Sequence, residues 1–173
     1  EIQINGSPVV ELDYSGLHMN MAYAMLTGST CDGYPYDYSS YGLDLKKYKP
    51  LMKVATLIAF NCGTKRQAMG AVNDKIRNLG IGLPVGMRGK QIVEMIQDKH
   101  RAILEFFCSG CGLDLQYADS QITIAVLAQC KIDGVVAIPI HDSYIVTEKH
   151  RAYLKRLMQK VFNDKYGCEI IVD

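Results

Sequence analysis

Residues 135–146 read VVAIPIHDSYIV, two apolar runs separated by His141-Asp142-Ser143. Runs this short and this rich in Val and Ile fit strands, and the polar break between them demands a tight turn. The result is an antiparallel hairpin with its polar residues at one tip. A second hairpin opens the chain, because Asn5-Gly6 is a turn signal and Val9, Val10 and Leu12 then lead to Asp13 at a strand end.

Between and after these hairpins the periodicity turns helical. Residues 15–27 start with a Ser that can cap, carry Leu17, Met21, Ala24 and Met25 at helical spacing, and stop at Gly28. Residues 28–44, rich in Gly, Tyr and Ser, read as a loop. Residues 50–61 are apolar around most of their circumference, with Pro50 placed in the first turn. Further helices are expected over 65–79, 90–107, 120–131 (with Ile122, Ala125, Val126 and Gln129 on successive turns) and 148–166, with GIGLPVGMRG at 80–89 as a connector. CEIIVD at 168–173 reads as a last strand. Strands and helices alternate with two hairpins, so the expected class is α+β, an antiparallel or mixed sheet backed by helices.

Charge divides the 173 residues into three blocks. Residues 1–45 hold six acids and no Lys or Arg, residues 46–101 hold twelve bases against three acids, and residues 102–173 hold seven bases against nine acids. The middle block is a candidate phosphate-binding surface, although solvated helix faces can carry the same density. The blocks also outline three parts: 1–45, 46–101 and 102–173. No run of about eighteen uncharged apolar residues occurs, so no membrane partner is expected. Six scattered cysteines point to a reducing, cytoplasmic setting. Cys108-Ser-Gly-Cys111 lacks a second pair and sits among apolar residues, which favours buried thiols over a zinc site. His100 and His150 stand among charges and are expected at the surface.

Asp13 and Asp142 each follow an apolar strand and precede a Ser within two residues. Carboxylates at strand ends can converge on one sheet edge, where they can hold two divalent ions roughly 3.5–4 Å apart for phosphoryl transfer. Mg²⁺ takes one or two carboxylates plus substrate phosphates, so two Asp residues suffice.

In context, VELDYSGLH (10–18) and IPIHDSYIV (138–146) resemble motifs A and C of the palm in family A DNA polymerases and single-subunit phage-type RNA polymerases. Lys49-Pro-Leu-Met-Lys53, followed by Val54–Gly63, resembles their motif B. The three stand in the family's order over roughly residues 8–166, and the pattern is also similar to plasmid- and phage-borne replication proteins. The resemblance implies a palm-like sheet with a small helical fingers-like insertion at 46–101.

It further implies a template-directed nucleotidyltransferase using Mg²⁺ (two ions, or Mn²⁺), with primer-template nucleic acid and nucleoside triphosphates as partners, alongside flanking domains or other replication proteins. Asp13 and Asp142 would be the catalytic metal ligands and Lys49 and Lys53 would meet nucleotide phosphates. His141 and Ser143 would flank the primer end, and Tyr14 and Ser15 would line the cleft. Ala118–Gln121 resembles the helix start before motif C, with Gln121 facing the minor groove. Lys65, Arg66, Arg88 and Lys90 would contact nucleic acid.

Three departures stand out. Asn61-Cys62 occupy the place of the family's Tyr-Gly, His18 stands where DNA polymerases often carry a sugar-selecting Glu, and HDS replaces HDE. A palm-like nucleic-acid-binding accessory without catalysis, or a two-metal nuclease, is the competing expectation.

Overall fold

The computed structural model describes residues 2–173. Asn5 and Gly6 both adopt left-handed backbone, φ 51° and 73°, the pair of positive angles a type I′ hairpin turn takes. β1 (Gln3–Ile4) therefore folds back on β2 (Ser7–Asp13). β3 (Ile138–Ile140) and β4 (Ser143–Thr147) form the second hairpin, closed by His141-Asp142 with His141 at φ 53°. β4 pairs antiparallel with β2 from Val9↔Thr147 to Asp13↔Ser143, giving the order β1-β2-β4-β3. The protein is α+β, with a wholly antiparallel sheet.

Residues 168–173 do not form the expected strand; they make a single bridge, Tyr14↔Val172. Gly16, at φ 62°, turns the chain out of the sheet and into α1 (Leu17–Thr27), so the ladder has no room to lengthen. Gly16 also occupies the capping position expected of Ser15.

The chain divides into two units, Glu1–Asp32 with Leu115–Asp173, and Gly33–Asp114. In the first, the two-residue period of the strands sends Leu12, Tyr14, Tyr144 and Val146 to one buried face. α6 (Arg151–Tyr166) packs on that face and α1 packs on α6, while α5 (Gly112–Ile132) meets the face where the Tyr144 hydroxyl donates to Thr123 Oγ1 (3.1 Å). The Tyr14 hydroxyl donates to the Met158 carbonyl (2.8 Å), and its ring meets those of Tyr144 and Phe162. α5 starts well before Ser120, since Leu115, Ile122, Val126 and Cys130 extend one buried stripe over four turns. Ala125 is exposed, outside that stripe.

The second unit packs α2 (Leu45–Asn61), α3 (Lys65–Leu79) and α4 (Gly89–Lys99) on one another. α2 begins before Pro50 because the Asp44 carboxylate accepts the Lys47 amide (2.9 Å) and caps the helix. Pro50 thus lies inside the helix, where it removes one backbone donor. α3 spans the expected residues, with the Thr64 hydroxyl accepting from the Gln67 amide and Gly80 at the end. α4 meets α3 at Gly89, where a Cβ would stand 2.3 Å from the Met69 carbonyl oxygen.

α4 stops at Lys99 rather than running to 107, and a 3-10 turn over Arg101–Phe106 follows. The reason is His100. It is fully buried, not at the surface, with Nε2 3.0 Å from the Pro35 carbonyl oxygen and its ring near Tyr38 and Phe107. Burial, aided by the Lys99 charge, pushes its pKa down to about 4. Tyr36, Tyr38 and Leu43, from the stretch expected as loop, are also buried.

Among the described residues no helix is long and apolar enough to cross a membrane. The six cysteines are free thiols. Cys108 and Cys111 are half-buried, and burial raises both pKa values.

Candidate active site

β2 and β4 run in opposite directions, so the end of one lies beside the start of the other. Asp13 stands opposite Ser143, and the Tyr14 amide donates to the Asp142 carbonyl (3.4 Å). The two aspartates, 129 positions apart in the chain, are therefore neighbours in backbone position at one end of the sheet. The opposite edge of this same stretch is tied to the chain's last residues. The Asp13 amide donates to the Asp173 carbonyl (3.1 Å), Asp173 returns the bond (3.0 Å), and Ser15 donates to Ile171 (3.0 Å). Asp13–Ser15 is thus held by backbone bonds on both sides.

The strand period places Glu11, Asp13 and Ser143 on the face away from the Tyr14 core. Asp142 belongs to the turn, outside the ladder, so the pleat does not set its side. Its charge, with that of Asp119, reaches the buried Tyr144 phenol, whose pKa is pushed up to about 12, chiefly by burial. The Ser143 hydroxyl is almost fully buried and sits between Glu11 Oε1 and the Ile140 carbonyl oxygen, 2.9 Å from the latter. Glu11 was not among the residues the motifs single out. Its signal was the i, i+2 spacing from Asp13, which a strand converts into a shared face. The same face holds an open groove of about 400 Å³ lined by Ile2, Gln3, Pro8, Val9, Glu11 and Ile145.

The remaining positions in this unit separate into exposed and internal sites. His141 is exposed at the turn, while Asp13, Asp142 and Ser15 are half-buried. Tyr14 is 1% exposed and points into the core, so it does not line an open cleft. Tyr14 is instead a strut between sheet and α6. His18 pairs with Asp119 on α5 at 3.4 Å. Ala118–Gln121 lie inside α5, not at its start, and Gln121 is half-buried. Asn20, unmarked in the sequence, is buried, donates to the Ser15 carbonyl (2.7 Å) and accepts the Cys31 amide (2.9 Å).

In the second unit Lys49 and Lys53 are exposed on α2 one turn apart, and the Lys49 ammonium lies 4.9 Å from the Tyr34 ring centre. Asn61 donates to the Leu57 carbonyl (2.7 Å). A Cβ at Gly112 would overlap its amide. Lys65 pairs with Glu94 at 3.4 Å, whereas Arg66, Arg88 and Lys90 are exposed. The Arg88 amide donates to Gln91 Oε1 (3.1 Å) and the Gly89 amide to Asn73 Oδ1 (2.7 Å), which fixes the start of α4.

Among the described residues no three His, Cys, Asp or Glu side chains gather as a metal cage. A hard cation that keeps water and substrate phosphates in its shell needs only one or two carboxylates, and the donors here are carboxylate oxygens of that kind. Comparison with protein-family models and with curated proteins found no match for this chain.

Proposed function

We propose that the chain is the palm and fingers part of a template-directed nucleotidyltransferase, a polymerase-like replication protein of phage or plasmid type. The observation that carries this reading is the register that brings Asp13 beside Asp142 at one end of an antiparallel sheet. The likeness of VELDYSGLH and IPIHDSYIV to polymerase motifs A and C supports it.

In this reading Asp13 and Asp142 hold Mg²⁺ or Mn²⁺. The metal, when bound, stabilises charge on the attacking and leaving oxygens of phosphoryl transfer. Lys49 and Lys53 offer point charges to triphosphate oxygens. His141, exposed at the hairpin tip, and Ser143, fixed on Glu11, set the shape of the turn that carries Asp142. Arg66, Arg88 and Lys90 supply cations for a nucleic-acid backbone.

The exposed lysines of α2 also favour a second reading, binding of nucleic acid without catalysis. Primer extension separates the two. The parent protein and Asp142→Asn are offered primer-template, all eight nucleoside triphosphates and Mg²⁺ or Mn²⁺. Incorporation by the parent that disappears in the variant supports the transferase. Salt-sensitive binding by both with incorporation by neither supports the binding protein.

A further inference from the structure

The sheet-containing unit is electrically polarised. Of its seven Lys and Arg residues, six lie in one segment: Lys149, Arg151, Lys155, Arg156, Lys160 and Lys165. Residues 148–166 carry these six bases against two acids, for +4. The rest of the unit carries nine acids and the single base Lys131, for −8.

All six basic residues are exposed. α6 turns Leu154, Leu157, Met158 and Phe162 inward, and its helical period places Arg156 and Lys160 on the opposite side. Arg151 is paired with Glu148 and Lys160 with Asp164. Among the described residues Lys149, Lys155 and Arg156 form no ion pair. α6 covers the Tyr14 face of the sheet, so its outer side is turned away from the face that carries Glu11 and Asp13.

From this charge placement we infer that the outer side of α6 binds the phosphate backbone of nucleic acid, as a track separate from the carboxylate face. At 1.5 Å rise per residue, cations four residues apart recur about every 6 Å. Phosphates advance about 3.4 Å along the axis per strand, so such a row meets roughly every second one. The surface suits neither of the other polyanion-bearing partners. α6 exposes no large apolar side chain to enter a lipid interface, and none to anchor a protein partner.

The test is fluorescence anisotropy of the full chain with labelled single- and double-stranded DNA and RNA across a salt series. Lys155→Gln/Arg156→Gln is expected to bind about tenfold more weakly and to lower the log–log salt slope by about 2. Lys131→Gln, on the same unit but off α6, is expected to bind like the parent. Circular dichroism and melting must match the parent for all variants, and Lys155→Glu/Arg156→Glu provides a second, stronger perturbation at the same exposed positions. Unchanged affinity and slope in both double variants overturn the inference. So does absence of nucleic-acid binding by the parent, or preference for phosphatidylserine vesicles over nucleic acid. Binding that depends on α6 in a protein that never incorporates nucleotides would sink the transferase reading alone.

Discussion

Asp13 faces Ser143 directly across the β2–β4 ladder, and Ser143 in turn lies against Glu11, two residues back on the same strand as Asp13. One small hydroxyl therefore connects the turn that carries Asp142 to the strand that carries Asp13.

Ser143→Ala removes that connection inside an almost fully buried site. The expected cost is about 1–2 kcal/mol of folding stability, read by urea unfolding. Glu11→Gln keeps an acceptor at the same place and is expected to cost less than Glu11→Ala.

Asp13→Asn and Asp142→Asn are expected to abolish nucleotide incorporation while leaving the circular dichroism spectrum unchanged, because main-chain bonds hold both backbone positions. Single-turnover incorporation with Mg²⁺ provides the measurement. Variants as active as the parent would remove both residues from the site.

Two glycines in the helical unit should respond oppositely to the same change. Gly89→Ala drives a methyl group onto the Met69 carbonyl and is expected to destabilise by about 1–3 kcal/mol. Gly70→Ala, in the exposed interior of α3 with no atom within 4 Å, is expected to stabilise by about 0.5–1 kcal/mol. Thermal melts of the two variants decide.

His100 links stability to pH. Its folded pKa, about 4, lies below the ordinary value of 6.5, so the unfolded chain binds the proton first. Its contribution is complete above about pH 6.5 and is lost as the pH falls towards 4, a change of up to about 3 kcal/mol. Unfolding free energies between pH 7 and 4 should fall on acidification, and His100→Gln should flatten that slope.

The two turns were legible in the sequence because each is a local signal: Asn5-Gly6 supplies the backbone angles and His141-Asp142 interrupts an apolar run. The partnership of β2 with β4 was visible only through motif likeness, since the hydrophobic period does not say which strands pair. Other features depended on tertiary contacts. His100 sits between Lys99 and Arg101, and nothing local reveals that Pro35 and Phe107 enclose it. Pro50 resembles a helix start until Asp44 is found capping six residues earlier. Tyr14 follows the strand-end aspartate, but the pleat that exposes one face to solvent buries the next residue.

The double anchoring of Asp13–Ser15 has a mechanical consequence. Because Ile171 and Asp173 clip one side of that stretch while Asp142 clips the other, the segment 171–173 works as a latch on the aspartate it borders. A binding partner that displaces residues 171–173 would slacken the site without touching the Asp13 or Asp142 side chain.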